Sequence, residues 1–222
     1  QLGSDIDGEA ANDFSGYSVS LSSDGSTVVI GAPGELGGQP TSSTVNTAGH
    51  ARVYRYDASS GKWIQLGADI DGEAAGDQSG FSISISGDGN TIAVGAIGNE
   101  GNGNRSGHTR IYSYNSSGEW VQLGGDIDGE SAGSLAGSSV SLSQDGRTIA
   151  IGAQGNSDGG PNSGHTRIYE YDEASSSWNQ RGSDIDGDQG DGSGNSVSLS
   201  GDGNTLAIGS EGSDKNGHDS GL

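Results

Sequence analysis

The chain has 222 residues, no cysteine and 44 glycines, with 30 acidic against 9 basic side chains and a formal net charge of −21. Nucleic-acid binding needs Lys and Arg to neutralise phosphates, so this charge balance argues against a nucleic-acid partner. No apolar run approaches the roughly 18 residues of a membrane-spanning helix, which predicts no direct membrane insertion.

Four sequence repeats follow one another, beginning at Gln1, Gln65, Gln122 and Gln180. They predict one repeat domain over 1–222 with units 1–64, 65–121, 122–179 and 180–222, the last of them incomplete. The second unit contains four short runs that are typical of strands, "FSISIS", "TIAVGA", "HTRIYSY" and "WVQLGGDI". A unit of four antiparallel strands that repeats every roughly 40 to 60 residues is the pattern of β-propeller blades.

An Asp-Gly pair separates the first two predicted strands of every unit, and the four pairs begin at Asp24, Asp88, Asp145 and Asp202. Asp-Gly favours the positive φ of a tight hairpin turn, so these acids are interpreted as turn residues. The second predicted strand of each unit, "TIAVGA" in the second, is apolar or small on both faces. It should therefore be the most buried strand.

The third predicted strand carries an Arg-x-Tyr-x-Tyr pattern that begins at Arg52, Arg110 and Arg167. Such a face could stack on sugars, but a repeated position favours packing between neighbouring blades, with the arginines reaching past the rings into solvent. Tryptophans open the fourth predicted strand at Trp63, Trp120 and Trp178 and receive the same packing interpretation.

These units resemble FG-GAP repeats, the blades of the integrin α-subunit type of β-propeller and of many bacterial and algal surface proteins. The resemblance is carried by "SGYSVSLSSDGSTVVIGAP" and "GHARVYRYD" in the first unit, and by "SGFSISISGDGNTIAVGA" and "GHTRIYSYN" in the second. It implies an all-β propeller of four-stranded antiparallel blades. The family's calcium loop between the first two strands is replaced here by a short hairpin, "SSDGS" or "SGDGN", and is not carried over.

The given sequence does not begin and end at blade boundaries, since it starts within a predicted fourth strand. The last unit stops before its third strand, so we expect either a longer array or completion by a strand of a neighbouring chain. An array of about six to eight blades would be an ordinary closed propeller.

An acidic motif joins each unit to the next, as in "DIDGEAAND" at residues 5–13. Alternating carboxylates with a glycine resemble the start of an oxygen-ligand calcium loop, although turn chemistry is the competing explanation. The motif therefore offers calcium as a possible cofactor, and the predicted ligands are Asp5, Asp7, Glu9, Asp13, Asp69, Asp71, Glu73, Asp77, Asp126, Asp128, Glu130, Asp184, Asp186, Asp188 and Asp191.

Three histidines recur before the third predicted strand, at His50, His108 and His165. On separate blades they would be too far apart to share one zinc ion, so we interpret them as structural or solvent-exposed. Two sequons, at Asn104 and Asn115, predict N-glycosylation sites if the protein is secreted by a eukaryote. The stretch "GGQPTSSTVNT" has the composition of an O-glycosylated loop.

No catalytic constellation stands out: there is no Gly-x-Ser-x-Gly elbow and no phosphate loop, and the acid pairs all repeat. The sequence therefore predicts that the chain is not an enzyme. Our first hypothesis is an extracellular or cell-surface structural or adhesive module, a building block of a filament or appendage, with itself or other surface proteins as partners. The alternative is a calcium-dependent propeller that binds glycans or a protein. A third hypothesis, a polysaccharide lyase or hydrolase on a propeller scaffold, would need a unique site that the repeats do not offer.

Overall fold

The structure, a computed structural model, describes residues 1–34, 48–213 and 220–221, and all the regular elements within these ranges are β-strands. Among the residues described, no helix has the length and apolarity needed to cross a bilayer. The stretch predicted to be an O-glycosylated loop, residues 37–47, lies outside the described residues.

The strands form four antiparallel sheets in chain order. The first sheet contains β1 (Ser18–Leu21), β2 (Thr27–Ala32), β3 (His50–Asp57), β4 (Lys62–Gln65) and β5 (Ile70–Asp71). The second contains β6 (Ser79–Ile85), β7 (Thr91–Ala96), β8 (His108–Tyr114), β9 (Trp120–Gln122) and β10 (Ile127–Asp128). The third contains β11 (Ala136–Leu142), β12 (Thr148–Ala153), β13 (His165–Asp172), β14 (Ser177–Gln180) and β15 (Ile185–Asp186). The fourth contains β16 (Ser196–Leu199) and β17 (Leu206–Gly209).

This arrangement confirms the predicted all-β, propeller-type architecture. In each of the first three sheets, consecutive strands pair in the order first, second, third, and the Asp-Gly hairpin closes the first pair. The hairpin glycine has the expected positive φ, for example +73° at Gly89. The aspartate side chain caps the turn, since Oδ1 of Asp88 accepts the Ser86 hydroxyl at 2.6 Å and the Asn90 N–H at 3.0 Å.

The predicted fourth strand is too long. In the second sheet, "WVQLGGDI" breaks after Gln122, and Ile127–Asp128 returns to pair with the opposite half of β8. The cause is Gly124 at φ +78°, a left-handed conformation that turns the chain. The predicted unit starts at Gln65, Gln122 and Gln180 coincide with the last residue of β4, β9 and β14.

Two apolar clusters lie between successive sheets. The first includes Val29, Val53 and Ile92, and the second includes Ile111 and Ile149, all at most 2% exposed. In the first three sheets the second strand is the most buried, as predicted, and β12 is covered on both faces along its whole length. In the fourth sheet, β17 is only partly buried. The core is thus a series of thin layers.

Polar contacts also join neighbouring sheets. Serines of the innermost strands reach across, as when Ser82 donates to the Gly137 carbonyl oxygen at 2.7 Å. The tryptophan of each fourth strand donates to the preceding junction, with Trp120 Nε1 at 2.8 Å from the Leu66 carbonyl oxygen. These tryptophans therefore pack between units, as the repeated position indicated.

Candidate functional site

Acidic residues of successive junctions meet beside the histidine that begins each third strand. The junction before a sheet supplies a glutamate, and the junction at its end supplies one or two aspartates. We call these groups the first cluster (Glu9, His50, Asp69), the second cluster (Glu73, His108, Asp126, Asp128) and the third cluster (Glu130, Asp158, His165, Asp184, Asp186).

The third cluster is the most acidic of the three. The His165 side chain is 1% exposed, and its Nδ1 lies 3.7 Å from Glu130, 3.8 Å from Asp184 and 4.0 Å from Asp186. Neither ring nitrogen of His165 makes a hydrogen bond. Asp158, from the loop before β13, completes the group.

The second cluster repeats this geometry. Nδ1 of His108 lies 4.0 Å from Glu73, 3.8 Å from Asp126 and 4.0 Å from Asp128, and it makes no hydrogen bond. Gly101 occupies the loop position where the third cluster has Asp158, so the second cluster has one carboxylate fewer.

Two neighbours orient the carboxylates around His165. Arg167 Nη1 lies 3.4 Å from Glu130 Oε1, which leaves Oε2 directed at the imidazole. Gln180 Nε2 donates to Asp184 Oδ1 at 2.6 Å, which leaves Oδ2 directed at the imidazole. The second cluster uses Arg110 and Gln122 in the same two roles.

Burial governs the charge state of these groups. Desolvation lowers the pKa of His165, reinforced by the Arg167 charge, so the imidazole is neutral at pH 7 and carries a lone pair. Desolvation also raises the pKa of Glu130, and the nearby carboxylates of Asp184 and Asp158 add to that rise against the opposing charge of Arg167. The third cluster is thus a neutral imidazole among crowded acids.

The structure regroups the predicted calcium ligands. Acids of one junction are divided between two sites, with Glu73 and Asp126 from consecutive junctions facing the same histidine. Asp13 instead caps its own loop, since its carboxylate accepts N–H bonds from Glu9, Ala10 and Ser15. Asp77 does the same for Glu73 and Ala74.

The remaining predicted ligands lie in or next to the junction turns. Asp5 accepts a hydrogen bond from Gln1, Asp191 accepts one from the Asp188 N–H, and the carbonyl oxygens of Asp7 and Asp71 accept from arginines. Calcium binding stays a prediction, as do the extracellular location and the glycan partners. Of the sequon residues, Asn104 is exposed and donates to Glu100, and Asn115 caps a turn; their glycosylation also stays a prediction.

The prediction that the arginines of the third strands reach solvent is wrong. Arg110 is 8% exposed, donates to the Asp71 carbonyl oxygen at 2.7 Å and lies 5.7 Å from the Tyr112 ring centre. Arg52 and Arg167 make the equivalent contacts. Because the guanidinium binds a junction carbonyl, it is held inside the protein.

A cavity of about 600 Å³ opens between the third and fourth sheets. Its polar lining includes Gln154, Asn162, Asp191 and Glu211, and no Lys or Arg lines it within the described ranges. Glu211 is exposed, and Asn195 Nδ2 donates to its Oε2 at 3.1 Å. The cavity therefore has the size and polarity for a small polar ligand, and its acids disfavour an anionic one.

The comparisons with known proteins agree with this architecture. An FG-GAP repeat family model matches residues 69–112, so the chain contains an FG-GAP repeat and the resemblance seen in the sequence is confirmed. No curated protein matches the chain in sequence.

Two solved structures share the fold. A periplasmic gluconolactonase from Pseudomonas aeruginosa is 18% identical, with a TM-score of 0.58 over 89% of this chain and 51% of its own. A candidate 6-phosphogluconolactonase from Bacteroides fragilis is 14% identical, with a TM-score of 0.51 over 86% of this chain and 40% of its own. The chain thus spans about half the length of the first and 40% of the second, and at these identities the likeness shows a shared propeller fold.

These neighbours contradict the predicted function. The sequence predicted a non-enzymatic structural or adhesive module and no enzymatic activity, whereas these two structural neighbours are named as a gluconolactonase and a candidate 6-phosphogluconolactonase. The physical basis of the prediction was that every acidic site repeats. The cavity breaks that symmetry, because the position of Glu211 is held by Pro33, Ile97 and Gln154 in the other units.

Sequence reasoning missed both Glu211 and the clusters. The signal for Glu211 is an acid at a repeat position where the other three units have none. The repeated histidines suggest one shared ion, whereas in the structure each has carboxylates of its own. Pairing the acids of consecutive junctions with the intervening histidine would have found the clusters.

Proposed function

We propose that this chain is part of a β-propeller hydrolase that opens an uncharged sugar lactone in the cavity between the third and fourth sheets. The observation that carries the proposal is the Glu211 carboxylate at the cavity, at a position where the other repeats have no acid. The fold shared with proteins named as lactonases supports the choice of substrate class.

Hydrolysis of a lactone adds water to the ring carbonyl carbon. Glu211 is the general base: it accepts a proton from the water as the new C–O bond forms. The side-chain amides of Gln154 and Asn162 line the same cavity and supply donors for the carbonyl oxygen. The ring C–O ester bond then breaks, the ring oxygen takes up the proton, and the product is an open-chain hydroxy acid.

The charge of the protein favours a neutral lactone over a phosphorylated one. The net charge of −21 and a lining without Lys or Arg among the described residues disfavour a phosphorylated substrate. We therefore propose a neutral aldonolactone rather than a 6-phospho-lactone.

The test is lactone hydrolysis followed by acid release in a weakly buffered solution. We expect catalysis above the spontaneous rate with glucono-δ-lactone. The kcat/KM with its 6-phosphate should be at least about tenfold lower, because Asp191 and Glu211 in the lining repel the phosphate and a factor of ten needs only about 1.4 kcal/mol. Glu211→Gln should lower kcat by about 10² or more, whereas Glu100→Gln, an exposed acid on another loop, should leave it unchanged. Turnover that equals the spontaneous rate, or that survives Glu211→Gln, would refute the proposal.

A further inference from the structure

We propose that the second and third clusters each bind one divalent transition-metal ion of the zinc type, held by the histidine Nδ1 and the facing glutamate and aspartate oxygens. The inference is independent of lactone hydrolysis, because Glu211 is not among the ligands.

The buried histidines are the first reason. His165 is 0% exposed and His108 is 1% exposed, yet Nδ1 of each makes no hydrogen bond and faces three carboxylates. A buried polar atom without a partner is destabilising, so a native structure ordinarily provides one. A cation between imidazole and carboxylates satisfies all of these atoms at once.

The distances are the second reason. Zinc binds His nitrogen and carboxylate oxygen at about 2.0–2.2 Å, which places tetrahedral ligand atoms about 3.4 Å apart. In the third cluster, Nδ1 is 3.7 Å from Glu130 Oε2 and 3.8 Å from Asp184 Oδ2. In the second cluster, the ligand atoms of Glu73, His108 and Asp126 all lie within 4.8 Å of one another, so a modest closure gives three protein ligands. Two groups of this kind share the imidazole of His165, one with Glu130 and Asp158 and the other with Asp184 and Asp186, and an ion beside Nδ1 can draw its ligands from both.

The third reason is that each ligand carboxylate already has an outer partner. Arg167 holds the far oxygen of Glu130, and Gln180 holds the far oxygen of Asp184. Outer-shell hydrogen bonds of this kind orient metal ligands. The second cluster shows the same two partners, Arg110 and Gln122, so this outer shell repeats together with the inner one.

The donor set also selects the metal. Calcium takes six to eight oxygen ligands, whereas an imidazole nitrogen with carboxylates suits zinc and its first-row neighbours. We therefore expect zinc to bind more tightly than the calcium that the sequence alone suggested. The third cluster should bind it more tightly than the second because it adds the Asp158 carboxylate.

The experiment is calorimetric titration of the chelator-treated protein with Zn²⁺ and, separately, with Ca²⁺. The double variant Glu130→Gln/Asp184→Asn keeps the shape of both side chains and should bind one zinc ion fewer per chain. Glu73→Gln/Asp126→Asn should likewise lose one ion. Glu170→Gln, which removes an exposed acid from β13, should bind as the parent protein does.

Far-UV circular dichroism of each variant checks that it is folded, and the visible spectrum of bound Co²⁺ reports a nitrogen and oxygen ligand set. Three results would each overturn the inference: no zinc binding by the parent protein, an unchanged stoichiometry in the folded Glu130→Gln/Asp184→Asn variant, or calcium affinity at or above that of zinc. Lactone hydrolysis is measured separately, so its presence or absence does not decide the metal question.

Discussion

The same four residues, Ser-Val-Ser-Leu, form the innermost strand of three sheets and meet different surroundings. In β1, Val19 is 64% exposed and Leu21 is 59% exposed, whereas in β11, Val140 is 8% exposed and Leu142 is 7% exposed. The sequence, the strand and the hairpin are alike, so the difference comes from the preceding sheet that covers β11 through β7. In this fold, the burial of an innermost strand depends on whether a preceding sheet packs against it.

The largest expected effect uses the glycine at the start of the innermost strand, which is Gly80 in β6 and Gly16 just before β1. Gly80 lies at φ +87°, and a Cβ there would be 2.4 Å from the His50 carbonyl oxygen of the first sheet, whereas Gly16 at φ +89° has open space around it. Gly80→Ala should lower the free energy of unfolding by about 2–5 kcal/mol from overpacking and left-handed strain together. Gly16→Ala should cost about 1–2 kcal/mol from strain alone. Equal losses in urea unfolding would break the comparison.

Truncation of the apolar strand residue comes next. Leu142→Ala should destabilise the protein by about 2–3 kcal/mol because it opens a cavity in the second apolar cluster. Leu21→Ala should change stability by less than about 0.5 kcal/mol, since Leu21 faces solvent. Chemical denaturation of the two variants measures both values, and a large loss for Leu21→Ala would mean that something covers β1 in solution.

A smaller effect is expected at the tryptophan contacts. Trp120→Phe removes the hydrogen bond to the Leu66 carbonyl oxygen and should cost about 1 kcal/mol. Trp63 donates to the Leu2 carbonyl oxygen at 3.0 Å, in a residue that is 60% exposed, so Trp63→Phe should cost less. Thermal unfolding of the pair provides the measurement, and the reverse order of stability would contradict it.

The smallest effect concerns the Asp24 turn, whose hydrogen bonds are made within the turn itself. The Ser26 N–H and the Ser22 hydroxyl lower the pKa of Asp24 from its ordinary 3.8 to about 2. The folded pKa is below the unfolded one, so this contribution to stability is complete above pH 4 and is lost as the pH falls towards 2. Carboxyl NMR titration should find Asp24 in this range, and a midpoint near 4 would rule out the turn geometry.

Local chemistry explains how much of the fold the sequence could predict. Alternation and Asp-Gly pairs act over a few residues, and they specified the hairpins, the buried second strand and the propeller class. The exposed face of β1 could not be read from the same pattern, since Val19 and Val140 have identical sequence neighbours. The break after Gln122 was missed because Gly124 turns a run that otherwise reads as one strand.

The candidate sites depend on contacts between distant parts of the chain. The acids were identified as cation ligands from their spacing within one junction, but His108 takes Glu73 from one junction and Asp126 from the next. Register between sheets brings them together, and no short-range pattern encodes it. Glu211 could be recognised as a candidate residue only from the structure, which places it in the lining of the cavity.

The junction strands carry a consequence for dividing or extending the molecule. Asp71 pairs with His50 in the first sheet, and its carbonyl oxygen accepts the Arg110 hydrogen bond from the second, so this peptide fastens two units at once. A protease cut there would release both units and leave two frayed ends instead of two modules. The turn at residues 58–60 is exposed and lies within one unit, between β3 and β4. Guest sequences, epitope tags or fluorophores belong at that outer tip.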